Sequence, residues 1–533
     1  MFNHLQNLTF RQAGIGSSLF HRYVQKDLPN LNWIHAYPGE VHFTAFGQER
    51  LNGFPEDRRK VLVDALLNQY KAANILDASV EDSLKHLASP ETLTVTTGHQ
   101  LGFAGGPLFL LHKIASVVAL ARQLNQQNPN IRVVPIFWLN SDDHDLEEIK
   151  SFFWQNRHWS LPVEDNHGPV GEYLCPEMPD FWTQLRIAMP HGKAWEDAFY
   201  EMKLAYEPGL PLGLAFRRLI ATWTKGSGLI CLDQQDPHLK RAAWANLSTC
   251  LADTRWHDGF LASTHEQEQA GFEPQVKPMP NLFFFHSSVG RERIEPLGQN
   301  FVAHQTRATW TLKELQAQMR TEPHLFSTNV TGRSLYQEFI LPNMAYLGGA
   351  AELRYWMQFS GMFRDLNRPF PLLIPRESFL FLGQKELRFL NQTKVEIQEL
   401  IGNKEKNMAQ WVHTHLDNFP EQPWNEVLDT ESMKWAKAFA LQDASLQKAV
   451  LARYAELKKE LKSLNAKRLK ALKQQELKAV LRLEHLFDWI QPNGIFQERI
   501  QHPWLLGPEV NKSFQQLLAH SNPLQNQVVV LSF

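Results

Sequence analysis

Residues 92–150 read TLTVTTGHQLGFAGGPLFLLHKIASVVALARQLNQQNPNIRVVPIFWLNSDDHDLEEIK, and this stretch decides the fold. Thr92–Thr97 is a short β-branched run that predicts a strand. Gly98 to Gly106 then supplies Gly98, Gly102, Gly105 and Gly106, positions where backbone packs closely or takes a positive φ. Pro107 suits the first position of a helix, and Leu108, Leu111, Ile114, Ala115, Val118 and Ala121 follow at helical spacing. Ile131–Leu139 is apolar almost throughout, as expected of a parallel strand covered on both faces. A crossover between parallel strands brings both strand ends to one sheet edge, where open α/β folds bind ligands. Thr97-Gly98-His99-Gln100 and Ser141-Asp142-Asp143-His144-Asp145 are therefore expected to face the same crevice.

To the N-terminal side, residues 1–55 carry few helical signals, and Arg58–Ala88 reads as one or two helices. To the C-terminal side, residues 151–225 read as an insertion into the sheet domain, followed by a third candidate strand, Gly228–Asp233. A hairpin is expected over 281–294, and Phe326–Trp356 alternates helix, strand and a Gly-Gly turn that is a second potential anion cradle. Leu372–Pro375 is a short strand delivering Arg376. Residues 380–401 and 445–490 are rich in Lys, Glu, Leu and Gln. Val450, Tyr454, Leu457, Leu461 and Leu464 keep a 4-3 spacing, and Val480, Leu483, Phe487 and Ile490 resume it after a phase break, the pattern of a coiled-coil arm. The expected division is a core over 1–380, an arm over 381–490, and a tail over 491–533 that docks back on the core through its final strand-like residues.

At 533 residues the chain is too long for one ordinary core. A formal net charge of −2 argues against nucleic acid or an anionic membrane face as a partner. Cys175, Cys231 and Cys250 are far apart, with no metal or redox spacing, and fit a reducing compartment. The N-terminus lacks the pattern of a secretory signal, and no apolar run approaches the roughly 20 residues that span a bilayer, so a cytoplasmic protein is expected.

The loop 97–106 matches neither a Walker loop nor a dinucleotide fingerprint. Its glycines can cradle phosphate through free N–H groups at a helix start, or serve only as a tight turn. The acidic run Asp142-Asp143-His144-Asp145 reads as a divalent-metal site, an acid/base and amine-binding site, or a helix cap with Glu147 and Glu148 in the first turn. Arg333, Glu338, Glu352, Arg354 and Arg376 stand among apolar neighbours, and buried charge needs a partner: each other, or an anionic ligand.

Taken together, Thr97-Gly98-His99-Gln100, Gly105-Gly106-Pro107-Leu108 with Lys113, Pro135–Trp138 running into Asp142–Asp145, Ser327–Val330 with Arg333, Leu341-Pro342, Ala345–Gly349, Glu352, Tyr355-Trp356 and Pro375-Arg376 resemble the BshC family of bacillithiol biosynthesis. The resemblance covers nearly the whole chain. It departs at His99, where members often carry Gln, and at Asp142-Asp143, where a Glu-Asp pair is common. It implies an α/β, Rossmann-like core related to class I aminoacyl-tRNA synthetases, although neither the HIGH nor the KMSKS signature of those enzymes is recognisable. It also implies a dimerising C-terminal coiled coil, and ATP-dependent joining of cysteine to the amine of glucosaminyl-malate, with Mg2+ accompanying the ATP. On this reading Thr97, Gly98, Gln100, Gly105 and Gly106 hold the nucleotide. His99, Asp143, His144 and Asp145 do the chemistry. Asp142, Asn329, Arg333, Glu352, Arg354 and Arg376 bind substrate, and no resident metal is expected. Two other classes stay open: a metal-dependent hydrolase or deacetylase, and a non-catalytic nucleotide-binding scaffold.

Overall fold

The run at Thr92 extends as strand through His99 and Gln100, beyond its β-branched residues, because each position pairs in parallel with the next strand, from Thr92 opposite Arg132 to Gln100 opposite Asn140. In the computed structural model, which describes residues 1–128, 130–165, 167–416 and 424–533, these are the first two strands of a five-stranded parallel sheet. Its members are β1 (Thr92–Gln100), β2 (Arg132–Asn140), β3 (Ile230–Asp233), β4 (Asn343–Gly348) and β5 (Leu372–Pro375), in the order β5-β4-β1-β2-β3. All four pairings are parallel. The strands are buried along most of their length because both faces are covered, the threonines of β1 included. The chain adds β2 and β3 on one side of β1, then returns to place β4 on the other. Connections leaving β1 and β4 therefore diverge, which opens a crevice at their carboxyl ends.

Helix Phe109–Gln127 makes the first crossover. Pro107 lies before it rather than in its first turn: Leu108 is the cap residue, and its N–H donates to the carbonyl of Gln501 at 2.7 Å. The expected insertion holds a short hairpin, Ser151–Trp154 with Arg157–Ser160, and helices Pro179–Ala188, Lys193–Ala205 and Leu212–Trp223. A separate antiparallel sheet runs Thr309–Thr311, Asn300–Ala303, Gly290–Leu297, Phe283–Ser287 and Phe326–Thr328.

The chain folds as two compact units, Met1–Phe381 with Gln497–Phe533, and Leu382–Phe496. The segment beginning at residue 380, expected to be helical, is instead the end of a strand, Ser378–Leu382. Its five buried residues join a three-stranded sheet with Asn3–Thr9 and the C-terminal strand Gln527–Ser532. In the second unit Trp424–Ala440 packs on Ala444–Gln475 as a helical hairpin, with Asp443 capping the second helix through the Ser445 N–H at 2.8 Å. The 4-3 series breaks where this helix ends: Glu476 leaves helical geometry, and Leu477–Ile490 is a new helix that buries Val480, Leu483, Phe487 and Ile490. Part of the expected arm, residues 417–423, and Asn166 of the expected insertion lie outside the described residues. Among the described residues no helix is long and apolar enough to cross a membrane.

Candidate active site

The ends of β1, β2 and β4 surround a cavity of about 300 Å3, closed on the far side by the antiparallel sheet and by helix Val330–Ile340. Gly98 contributes its missing side chain: a Cβ there would stand 3.2 Å from Arg333 Nη1 and 3.4 Å from the Trp138 carbonyl. Its own carbonyl accepts from the buried Lys113 Nζ at 2.7 Å. The next residue, His99, places its Nδ1 3.0 Å from the Gln100 carbonyl and its ring edge-on to Phe109. Burial, reinforced by the nearby Lys113 charge, lowers His99 to about 4, so its imidazole is neutral at physiological pH.

The acidic run does not act as a unit. Asp142 lines the cavity but is buried there and already paired, 3.3 Å from Lys240 Nζ and accepting from the Gln234 amide. Asp145 takes the capping role, accepting the Glu148 N–H at 3.1 Å on the single-turn helix Leu146–Ile149. Asp143 also faces the cavity, and its carboxylate is more exposed than that of Asp142. Its Oδ2 accepts from Gln100 Nε2 at 2.5 Å, and its Oδ1 takes the His144 N–H at 2.8 Å with Arg291 Nη1 3.6 Å away. Burial on its own would raise this carboxyl. The hydrogen bonds from His144 and Gln100 and the Arg291 charge outweigh it and hold Asp143 well below the usual carboxylate range. The exposed His144 ring has its Nδ1 3.2 Å from Asp143 and 3.1 Å from Arg291.

Arg291 is the largest contributor that sequence reasoning missed. It lies on the Gly290–Leu297 strand, flat against Phe284 at 4.0 Å, with Nε donating to Ser327 Oγ and Nη2 to the Thr328 carbonyl. Nothing in its local pattern separates it from an ordinary exposed strand arginine. Lys113 did carry a signal, a cation among apolar residues in the first half of the helix, and it meets Glu352 at 2.7 Å. Glu352 also accepts the Gly349 N–H at 2.8 Å and the Tyr346 hydroxyl at 2.9 Å. Burial would raise Glu352, but Lys113 brings it down to about 2. The Gly348-Gly349 turn, a potential anion cradle by sequence, is thus already occupied by a carboxylate of its own helix.

Of the three arginines expected to bind substrate, Arg333 alone reaches the cavity. It is buried, donates Nη1 to Gln337 Oε1 at 3.1 Å, and leaves Nη2 without a protein partner. Arg376 is spent on a bidentate ion pair with Glu498, at 2.6 and 3.0 Å. Arg354 donates to the Glu273 carbonyl. Asn329 touches the cavity, but both ends of its amide are used, capping Val330–Ile340 and donating to the Asn281 carbonyl. Thr97 is fully buried and donates to the Leu347 carbonyl across the sheet. Gly105 and Gly106 are also buried away from the cavity. Their N–H groups are bonded to Gly102 and Phe103, and a Cβ on Gly105 would meet the Trp223 ring at 2.1 Å. Gly105 and Gly106 therefore serve packing, and the charged and imidazole groups gathered at the cavity are His99, Asp142, Asp143, Arg291, Arg333 and Glu352. Among the described residues no cluster of His, Cys, Asp and Glu is arranged to hold a metal ion.

A parallel sheet with a polar crevice at its switch point, joined to a helical arm, defines a Rossmann-like α/β protein with an appended coiled coil. Residues 4–377 match the family described as "Bacillithiol biosynthesis BshC, N-terminal Rossmann-like domain", and residues 379–533 match its "C-terminal coiled-coil domain". The chain belongs to the BshC family. Relatives named "Putative cysteine ligase BshC" include those of Flavobacterium johnsoniae, 28% identical over 92% of both chains, and Christiangramia forsetii, 28% identical over 99% of this chain and 98% of the relative. The relative of the same name in Bacillus velezensis is 27% identical over 96% and 98%.

Proposed function

We propose that this protein joins cysteine to the amine of glucosaminyl-malate at the expense of ATP, the closing step of bacillithiol assembly. The observation that carries the reading is the pairing, in one cavity, of an ionised carboxylate on Asp143 with an unpartnered buried guanidinium nitrogen on Arg333. Substrates that carry both ammonium and carboxylate groups need that pair. The name carried by the relatives supports a ligase.

A carboxylate is a poor acyl donor, and ATP, with Mg2+, supplies the activation that makes it a good one. The residues then have separable tasks. Asp143 holds an ammonium group by charge and hydrogen bond, and Arg333 takes a malate carboxylate. The exposed imidazole of His144, beside Asp143, accepts a proton as the ammonium becomes the attacking amine. His99, neutral and half-buried, is a hydrogen-bonding group. Holding acyl donor and amine together removes much of the entropic barrier. Orphaned Arg333 Nη2, in a cavity that Arg291 also lines, suits anionic groups, phosphates included, whereas the internally bonded loop at Gly105-Gly106 does not.

The hydrolase alternative needs the acidic run to converge on one ion, and its carboxylates diverge to Lys240, Gln100 and a helix cap. The protein acts on small molecules in the cytoplasm, as a dimer through its arm. The test is reconstitution with ATP, Mg2+, cysteine and glucosaminyl-malate, read by mass spectrometry for bacillithiol and for AMP or ADP. Product formation is expected; bound nucleotide without product would overturn the reading.

A further inference from the structure

At the opposite end of the parallel sheet, beside the start of β4 at Asn343, lies a second cavity of about 440 Å3. Three arginines line it: Arg50, Arg58 and Arg368. Each is tied down by one neutral oxygen: Arg50 donates to the Phe370 carbonyl, Arg58 to the Phe339 carbonyl at 3.0 Å, and Arg368 to the Asn246 amide oxygen. Among the described residues none of the three forms an ion pair with a carboxylate. The Arg58 guanidinium lies 3.8 Å above the Phe339 ring, with Arg368 6.0 Å from the same ring and Phe54 5.4 Å from Arg58.

The electrostatics of this arrangement are incomplete. Burial lowers Arg58, and the Arg368 charge lowers it further, with Asp57 opposing, so the two cations repel across the cavity. One carboxylate lines the cavity, Glu338. It is engaged through Oε1 by the side-chain amides of Gln337 and Asn343, and burial pushes it up to about 7, which weakens it as a counter-ion. Guanidinium groups in this number match the geometry of a doubly charged oxyanion, and the phenylalanine walls suit an apolar body.

We propose that the cavity beside Asn343 binds a small molecule with a doubly charged oxyanion head, a phosphate ester or a dicarboxylate, held by Arg58 and Arg368 and backed by Phe54 and Phe339. The site is independent of the crevice at the strand ends. Helix Val330–Ile340 borders both, presenting Arg333 to one and Glu338 and Phe339 to the other.

The test is isothermal titration calorimetry of the full-length protein at low salt with two probes, glycerol 3-phosphate and succinate. One-to-one binding of at least one probe is expected, and the one that binds identifies the head group. Arg58→Gln with Arg368→Gln should weaken it at least tenfold, Arg368→Lys less, and Arg333→Gln in the other cavity not at all. Thermal melts confirm that each variant is folded; if the double variant is not, Arg368→Lys and Arg333→Gln decide between the cavities. No binding of either probe up to about 10 mM, or binding lost with Arg333→Gln and kept in the Arg58 and Arg368 variants, overturns the proposal.

Discussion

Lys113 and Glu352 meet at 2.7 Å where the helices that follow β1 and β4 diverge, so one ion pair bridges the switch point of the sheet. Lys113 is buried and also holds the Gly98 carbonyl, which fixes the end of β1 beneath the cavity. Lys113→Met strands the Glu352 carboxylate among Tyr346 and Gly349, and removing one partner of a buried pair costs about 3–5 kcal/mol. The urea midpoint of the Rossmann-like unit should fall accordingly, and Lys113→Met with Glu352→Gln should recover part of the loss. Glu352 titrates near 2 in the folded protein against about 4.5 unfolded. Its stabilisation is therefore complete above pH 4.5 and lost as pH falls toward 2. A Lys113→Met variant with unchanged stability at pH 7 would rule out the pair as a structural element.

Arg333 and Arg376 look alike in sequence and separate in the structure, and their variants should separate too. Arg333→Gln removes the orphaned donor from the cavity and should raise the KM for glucosaminyl-malate by about tenfold or more, with little change in the melting temperature. Arg376→Gln leaves Glu498 buried and underpaired and should cost stability, with KM unchanged in the protein that remains folded. Asp143→Asn keeps the shape and removes the charge, and should lower kcat/KM by about a hundredfold. Wild-type turnover in Asp143→Asn would exclude the ammonium-binding role.

Much of this architecture is legible in the sequence alone, and what is not has physical reasons. The 92–150 unit stands out because a buried parallel strand and an amphipathic crossover have distinct periods, and the crevice at Gly98, Gln100 and Asp143 follows from the strand ends alone. Glycine reports backbone freedom without saying what uses it: Gly98 makes room for Arg333, whereas Gly105 makes room for Trp223. Charges in apolar surroundings announce burial, but Arg333 and Arg376 differ through Glu498, more than 100 residues away in sequence from either and invisible to local pattern. Arg291 reaches Asp143 from another sheet, by a contact no spacing encodes. At residue 380 local helix formers yield to a strand because the C-terminal strand offers a partner.

The helical hairpin of the second unit buries no residue of Ala444–Gln475. Leu464 is 62% exposed, and Trp424, Met433 and Trp435 on the preceding helix are about half exposed. Leaving this much apolar surface in water is unfavourable, and the retained 4-3 spacing of Val450 to Leu464 suits a second copy of the same hairpin. Light scattering of the wild type should give a dimer mass. Leu457→Glu with Leu464→Glu should give a monomer with unchanged far-UV circular dichroism, and a persistent dimer would place the interface elsewhere.

Glu338 supplies a pH dependence whose sign can be worked out. Burial raises it from 4.5 to about 7, with Arg50 opposing. The folded protein therefore binds this proton more tightly than the unfolded chain. Its contribution to stability is fully present below pH 4.5 and is lost as pH rises through 7. Glu338→Gln keeps the oxygen that accepts from Gln337 and Asn343 and replaces the ionising oxygen with an amide. The variant should match the wild type at pH 4.5. By pH 8 it should be more stable by about 1–2 kcal/mol, less than the full shift implies because the group borders a cavity open to solvent. Glu377, also raised to about 7, titrates in the same window in both proteins and cancels from the difference. Paired urea titrations from pH 4.5 to 8.5 measure it directly. A difference that is constant with pH would mean that folding leaves the Glu338 pKa unshifted.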